Sequence, residues 1–332
     1  MSDTPLYRVT EIKKHFPVLS GVLRRTTGHV RALDGVDLDI FRGETVSVIG
    51  ESGCGKTTLG RMLALLDKPT GGNLEFDFGQ GLKEVTNLRG ENQMAFRKKV
   101  QMIFQDPYTS FNPRQRVGAA MDEVLRVHGL KDKDERDVRI NEACEMVNMR
   151  TQYLQRYPHE FSGGQRQRLA IARCLATKPE LIIADEIVSA LDVSIQAQII
   201  NLLRQIQGET GLSFMFVTHD VAVARYVGHR VVVMYLGSIV EILPAESLPE
   251  AAEHPYTIAL LSAVPDMNIQ KKEHVPLQGE VPSPIDVPTG CAFSTRCPMV
   301  MDICRKERPV LRVSNIASKG HQVACHLNKG AN

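Results

Sequence analysis

No apolar run in this sequence approaches the roughly 18 residues that a membrane-crossing helix needs. One of the more apolar stretches, Val231-Val232-Val233-Met234-Tyr235-Leu236, is far too short. The chain also lacks a dense basic run, and its formal net charge is only +2, which argues against nucleic acid as its main partner. Met1 to Thr10 carries Asp3 and Arg8 and no long apolar stretch, so it does not read as a secretory signal. There is no internal repeat, and no sustained heptad pattern that would announce a coiled coil. From these absences the chain is expected to stay in the cytoplasm, with any membrane role exercised through a partner.

What is present is the composition of a soluble globular protein. The 332 residues are 43% hydrophobic and 23% charged, and the length suffices for a large core and two structural units. Of seven cysteines, Cys54, Cys144 and Cys174 are scattered, whereas Cys291, Cys297, Cys304 and Cys325 crowd near the C-terminus. In a reducing compartment such a group suggests metal binding rather than disulfides.

Val36, Leu38 and Ile40 alternate with Asp37 and Asp39, the period-2 pattern of a half-buried strand. Phe41-Arg42-Gly43-Glu44 reads as a turn, followed by a mostly apolar strand over Val46 to Ile49 that ends at Gly50. A helix is predicted from about Lys56, with Leu59, Met62, Leu63 and Leu66 on one face. The segment from about 106 to 178 is helix-rich, and its charge-alternating stretch Lys131 to Arg139 reads as a solvated helix face. Leu181-Ile182-Ile183-Ala184 and Ser213 to Val217 have the form of buried parallel strands, so strands alternate with helices in an α/β arrangement covered on both sides. Pro244, Pro249 and Pro255 mark a composition change near residue 245. A short helix over Tyr256 to Val264 and a loop-rich tail with Pro276, Pro282, Pro284 and Pro288 follow.

Gly50-Glu51-Ser52-Gly53-Cys54-Gly55-Lys56-Thr57 matches G-x-x-x-x-G-K-[ST] in full, between a predicted strand and a predicted helix. The glycines let backbone N–H groups turn toward phosphate oxygens, and the helix N-terminus adds its positive dipole end. In this arrangement Lys56 reaches the β- and γ-phosphates, Thr57 supplies a hydroxyl to Mg²⁺, and Thr58 completes the binding segment. Cys54 reads as a small filler whose backbone N–H is the useful group. Further along, an apolar strand ends in Asp185-Glu186, and paired carboxylates at the end of a buried strand are costly unless something uses them. Asp185 is expected to hold Mg²⁺ and Glu186 to act as general base on water.

Phe161-Ser162-Gly163-Gly164-Gln165 combines a capping-box pattern with a following helix, and it resembles the signature motif of ABC ATPases. In that family two such domains face head to tail, so Ser162, Gly163, Gly164 and Gln165 are implied to contact the γ-phosphate held by the other subunit. The resemblance extends in order to Gln105 (Q-loop, also near Mg²⁺), Ser189-Ala190-Leu191-Asp192 (D-loop, with Asp192 at the dimer interface) and His219 (H-loop). It also offers Phe16 as an aromatic that stacks on adenine. Ile187 departs from the family, which usually has Pro or Ala after the second acid. That departure bears on the following turn and on the rate.

The implied fold is an α/β, ABC-type P-loop ATPase: a RecA-like core, an antiparallel β subdomain and a helical subdomain at about 106–178, all within 1–244, plus a small loop-rich C-terminal extension at 245–332. Glu51-Ser52-Gly53-Cys54-Gly55-Lys56, His254-Pro255-Tyr256 with the following residues to Pro265, and Gly290-Cys291-Ala292-Phe293 with Arg296-Cys297-Pro298 resemble the ATP-binding subunits of dipeptide and oligopeptide importers. Such a subunit binds ATP and Mg²⁺ at the cytoplasmic face of the bacterial inner membrane. It works with a second, D-type ATP-binding subunit, two membrane permeases and an external substrate-binding protein. Relatives that import nickel or sugars remain alternatives for the cargo, and a soluble ABC protein acting on ribosomes or DNA is the more distant one. The tail spacing C-x5-C-x6-C-x20-C fits neither common zinc-ribbon pattern. The family resemblance implies a [4Fe–4S] cluster on Cys291, Cys297, Cys304 and Cys325, with Zn²⁺ as the alternative and His321 and His326 as bystanders.

Overall fold

The structure, a computed structural model, describes residues 4–21, 25–106, 110–263, 279–314 and 320–328. Pro107, the expected helix end at Val264, Pro265 and Pro276 lie outside the described residues.

Two sheets organise the chain. A small antiparallel sheet contains β1 (Tyr7–Ser20), β2 (Arg25–Ile40), β4 (Gly71–Asp77) and β5 (Leu82–Glu84) in the order β2-β1-β4-β5. The larger sheet has β3 (Thr45–Ile49), β6 (Val100–Ile103), β7 (Leu181–Asp185), β8 (Ser213–Val217), β9 (Arg230–Tyr235), β10 (Ser238–Pro244), β11 (Arg312–Val313) and β12 (Gln322–Val323). Their order is β11-β12-β10-β9-β3-β8-β7-β6. Pairing is parallel from β9 through β3, β8 and β7 to β6, and antiparallel from β9 outward to β11. Every residue of β3, β7 and β8 is buried, which explains why β7 and β8 are near-continuous apolar runs; in β3 the polar Thr45 and Ser47 are buried too, with the Ser47 hydroxyl donating to the Ala224 carbonyl at 2.9 Å. β2 is far longer than the alternation at 36–40 indicates, because its first half is exposed or half-exposed and carries no inside–outside pattern.

The helices are α1 (Lys56–Leu63), α2 (Gly90–Lys99), α3 (Val117–Val127), α4 (Lys133–Met146), α5 (Gly163–Leu175), α6 (Val193–Thr210), α7 (Val221–Val227), α8 (Pro255–Ser262) and α9 (Asp302–Lys306). Leu59, Met62 and Leu63 of α1 are buried as expected, but Leu66 lies beyond the helix end and is 40% exposed. The chain turns at Leu65, whose φ is +51°, and that turn takes Leu66 off the apolar face. The charge-rich helix α4 is capped by the Asp132 side chain, yet Arg136 within it is buried. Its guanidinium donates to Asp122 and to the carbonyls of Leu130 and Lys131, so that part of the expected solvated face is an interior ion pair.

Three apolar clusters hold the layers together. One lies between the two sheets, where Tyr7, Phe76 and Phe96 meet edge to face at centroid distances of 5.5–6.2 Å. A second joins α3, α4, α5 and α6 to β6, β7 and β8. The third is centred on Tyr235, Tyr256 and Phe293, with centroids 4.7–5.4 Å apart, and it receives the C-terminal extension. That extension also joins the main sheet, since β12 pairs with β10 through Glu241↔Val323 and Ile242↔Gln322. His321 and Glu241, both fully buried, are 2.8 Å apart across this junction. Glu241 also accepts the Glu253 and His254 backbone N–H groups at 2.8 and 3.2 Å.

His254 Nδ1 accepts the Tyr256 N–H at 3.1 Å and so caps α8. Burial lowers its pKa to about 4, with the Glu241 charge pulling the other way. The native state therefore keeps this imidazole neutral where the unfolded chain, with an ordinary value near 6.5, takes up a proton. Stability is full above the unfolded value and falls as pH drops from about 6.5 toward 4, by at most about 3 kcal/mol from this group. Thermal unfolding of the parent and of His254→Asn between pH 7.5 and 4.5 checks this. The acid-side fall should be shallower in the variant, and an equal fall in both would remove His254 as its source.

Candidate active site

The parallel strands finish side by side. Val48 pairs with Val217, Val217 with Asp185, and Ala184 with Ile103, so the loops after β3, β8, β7 and β6 leave one edge of the sheet. The carboxyl ends of parallel strands are the usual ligand-binding edge of open α/β sheets.

The loop after β3 is Gly50 to Gly55. Gly50 has φ +148° and Gly55 φ +107°. A Cβ on Gly50 would overlap the Met234 carbonyl oxygen, and one on Gly55 would overlap that of Ala32, so neither position tolerates a side chain. Ser52 and Gly53 are exposed at the tip. Cys54 is buried, and burial pushes its thiol pKa up, with the Lys56 ammonium opposing, so it is not a ready nucleophile. Lys56 is 5% exposed and folds back into the loop, donating from Nζ to the Gly50 and Glu51 carbonyls at 2.8 and 3.0 Å. Gly55 caps the start of α1, and after Lys56 its first turn continues with Thr57, which is exposed, and Thr58, which is half-buried.

Thr57 Oγ1 donates to Asp185 Oδ1 at 3.0 Å, joining the phosphate loop to the acid pair. Asp185 ends β7 and is almost fully buried. Burial raises its pKa, the Thr57 hydrogen bond opposes that rise, and the Glu186 charge adds to it. A hydroxyl and a buried carboxylate in contact are hard oxygen donors of the kind Mg²⁺ prefers. Glu186 has φ +47°, an unusual conformation for a side-chain-bearing residue. Its N–H still donates to Val217 of β8 at 3.0 Å. Gln105 Nε2 donates to Glu186 Oε2 at 3.0 Å, and His219 Nδ1 stands 3.6 Å from the same oxygen. Three sequence-predicted residues from three strand ends thus meet on one carboxylate. Ile187, the departure noted above, is 1% exposed and belongs to the helix-side core, so its bulk faces away from this group.

Ser162 caps α5 as the sequence pattern requires. Its hydroxyl accepts from Gln165 N at 3.4 Å, and Gln165 Oε1 accepts from Ser162 N at 3.1 Å. A Cβ on Gly164 would lie 2.6 Å from Ile195 Cγ2, so the glycine lets the end of α5 lie against the start of α6. Gly163 faces Leu191 in the same way at 3.3 Å. Asp192 is the N-cap residue of α6, next to Val193, which is 81% exposed. Phe16 on β1 is exposed, with the Lys14 ammonium 4.9 Å from its ring centroid.

Two residues of the site were legible only as markers of a tail pattern. Tyr256 OH accepts the Glu51 backbone N–H at 2.8 Å. Arg296 grips the Glu51 carboxylate with both ends of its fork, at 2.7 and 3.1 Å. Beyond that pattern, the sequence signal for Arg296 was a lone acid in the phosphate loop, which calls for a cation but does not say which one.

The tail cysteines are neighbours. Cys291 N donates to the Cys304 carbonyl at 2.7 Å, and a Cβ on Gly290 would overlap that same oxygen. Burial pushes the Cys291 thiol up to about 11, a rise opposed by the Phe293 N–H and reinforced by Cys304, Cys325 and Cys297. Burial also raises Cys297 and Cys325, against hydrogen bonds from the Met299 and Leu327 N–H groups. Among the described residues, however, no three Cys, His, Asp or Glu side chains stand together as a metal-ligand group. The Cys291, Cys297 and Cys325 sulfurs each accept a local backbone N–H.

A phosphate loop after one parallel strand, an acid pair ending the next but one, and a capped Ser-Gly-Gly-Gln helix define a P-loop ATPase of the ATP-binding-cassette class. The ABC transporter family profile matches residues 33–189, and the oligopeptide/dipeptide transporter C-terminal region matches residues 240–304. The chain is 45% identical to the oligopeptide transport ATP-binding protein AppF of Bacillus subtilis, over 97% of both chains. It is 46% identical to the probable peptide ABC transporter ATP-binding protein y4tS of Sinorhizobium fredii, over 100% of this chain and 92% of the relative. Among solved structures it is similar to the dimeric cassette MJ0796 bound to ADP and phosphate (TM-score 0.62, 29% identity, 72% of this chain and 98% of that one). It is also similar to cbiO1 of Clostridium perfringens (TM-score 0.63, 25% identity, 75% of this chain and 92% of that one). The chain belongs to the ABC transporter ATP-binding subunits, in the branch that carries the oligopeptide/dipeptide transporter C-terminal region.

The glycine geometry orders two substitutions. Gly55→Ala combines positive φ with a backbone overlap, whereas Gly53→Ala, at φ +81°, would meet nothing within 4 Å. Gly55→Ala should destabilise the protein by about 1–3 kcal/mol and weaken ATP binding, and Gly53→Ala should do less of both. Calorimetric unfolding and equilibrium ATP binding of the two variants check the order.

Proposed function

We propose that this chain is the motor subunit of a peptide importer, and that the meeting of Gln105, Glu186 and His219 beside the phosphate loop carries its chemistry. The enzyme is an ATP hydrolase coupled to transport. In the proposed assignment, Lys56 releases the Gly50 and Glu51 carbonyls to take the β- and γ-phosphates of ATP, which the loop N–H groups surround. Thr57, Asp185 and Gln105 hold Mg²⁺, which when bound neutralises charge on the phosphates. Glu186 orients the attacking water and accepts its proton. Gln105 donates to that carboxylate and His219 stands beside it, which fixes its direction. Ser162, Gly163, Gly164 and Gln165 present a helix N-terminus to the nucleotide of a second subunit, with Asp192 at the same face. The exposed Phe16 ring supplies the adenine platform, braced by Lys14.

The subunit works with membrane permeases. Among the described residues no helix is long and apolar enough to cross a membrane. The proposed position is peripheral, at the cytoplasmic face of the inner membrane. The proposed assembly adds a D-type ATP-binding subunit as the heterodimer partner and an external binding protein for peptides. Residues 1–244 are assigned to the nucleotide-binding unit and 245–332 to the extension. We also propose that Cys291, Cys297, Cys304 and Cys325 close around a [4Fe–4S] cluster or Zn²⁺ when one is supplied. Their mutual proximity and their sulfur-directed N–H groups support this.

Three measurements test this reading. Glu186→Gln should bind ATP like the parent and lose about 10²–10⁴-fold in turnover; parental turnover would remove Glu186 as the base. ATP hydrolysis by the full membrane complex should rise when its binding protein is loaded with dipeptides, and indifference to peptides would reassign the cargo to nickel or another small solute. Protein purified without oxygen should contain about four irons per chain or one zinc. A metal-free tail that takes up neither ion would withdraw the metal.

A further inference from the structure

The phosphate loop carries a carboxylate in its second position, at the mouth of a site built for a polyanion. Glu51 is nevertheless held at three points. Its backbone N–H donates to Tyr256 OH at 2.8 Å, and its carbonyl accepts from Lys56 Nζ at 3.0 Å. Its carboxylate accepts two parallel hydrogen bonds from Arg296, from one guanidinium nitrogen to Oε2 at 2.7 Å and from the other to Oε1 at 3.1 Å. The two partners are unequally exposed, with 5% of the Arg296 side chain accessible against 24% for Glu51. The cation is the fixed partner. Its guanidinium also reaches Tyr235 OH at 3.4 Å and lies 5.9 Å from that ring's centroid, and its backbone N–H bonds to Phe293 O at 3.0 Å. Tyr235, Tyr256 and Phe293 in turn form the aromatic cluster that seats the extension. A bidentate fork sets the direction of a carboxylate as well as its charge.

We propose that Arg296 is a positioning residue of the ATP site: it turns the Glu51 carboxylate aside and neutralises it, so that a phosphate loop containing an acid still accepts a triphosphate. The C-terminal extension is then part of the nucleotide site, because it supplies the countercharge that the loop itself lacks. Lys56 does not supply it, since its ammonium bonds to the Gly50 and Glu51 carbonyls and is committed to phosphate when ATP binds. The inference rests on assigning this loop to ATP.

The test is a double-mutant cycle on the full chain, read as equilibrium binding of Mg-ATP at fixed salt, with the unfolding midpoint measured alongside. Arg296→Gln leaves the Glu51 charge uncompensated and should weaken ATP binding about tenfold, the order expected for one unpaired charge in the phosphate loop. Adding Glu51→Gln removes the repulsion and should bring affinity back to within about twofold of the parent. In the assembled ATPase the same pair should move KM for ATP and leave kcat nearly unchanged, because the effect lies in ground-state binding. If Arg296 only glues the extension down, the double variant stays as weak as the single one and both lose stability together, which overturns the proposal. Parental affinity in Arg296→Gln overturns it too. Lys56→Ala separates the two readings. Undiminished affinity there removes the loop as the ATP site and the proposal with it, whereas lost affinity there with parental affinity in Arg296→Gln rejects the Arg296 role alone.

Discussion

Parallel pairing in register, from β3 through β8 and β7 to β6, is the constraint on which the rest of this molecule depends. Because Ile49, Val217, Asp185 and Ile103 end their strands within a residue or so of one another, four loops with separate sequence origins open on a single edge. The hydrophobic filling of both faces holds that register. A slip of one residue would turn each buried side chain to the opposite face, into a space packed to fit its neighbour. The site chemistry is thus a consequence of burial several residues away from it.

Local strain and local charge then refine what the register brings near. Glu186 leaves β7 through a left-handed conformation, and the turn behind it is tied by Ser189, whose N–H and hydroxyl both bond to the Glu186 carbonyl. Such a conformation persists only where its surroundings over-determine it. Here they include a buried Asp185 on one side and a buried Ile187 on the other. The lysine of the phosphate loop, curled onto two carbonyls of the same loop, keeps its almost buried ammonium hydrogen-bonded. On the far side of the loop, the extension is fastened by a sheet strand, an aromatic cluster and a buried carboxylate–imidazole contact. Its position relative to the loop is therefore built into the fold.

Much of this was legible because the relevant signals are short-range. The G-x-x-x-x-G-K-[ST] match, the acid pair after an apolar run and the Ser162–Gln165 capping box each need only a few adjacent residues, and each lies where local rules place it. Expectations faltered where a residue's neighbours are distant in sequence. Leu66 was assigned to a helix face that a turn at Leu65 cuts off. Arg136 read as solvated because its partner Asp122 lies on another helix. Four cysteines in a short tail suggested a ligand shell; spacing alone does not orient sulfurs, and among the described residues no three metal-ligating side chains are grouped, while Cys291, Cys297 and Cys325 accept nearby backbone N–H groups.

The sequence by itself determined the class of chemistry, because phosphate cradles and strand-end acids are made from contiguous residues whose backbone geometry follows from glycine, lysine and a flanking strand. Only the tertiary structure decided which separate loops share a carboxylate and which cation answers Glu51. Gln105 and His219 reach Glu186 across three strands, and Arg296 reaches Glu51 from 245 residues away. Contacts of that kind arise from sheet register and core packing, and no local pattern in the chain encodes their distance.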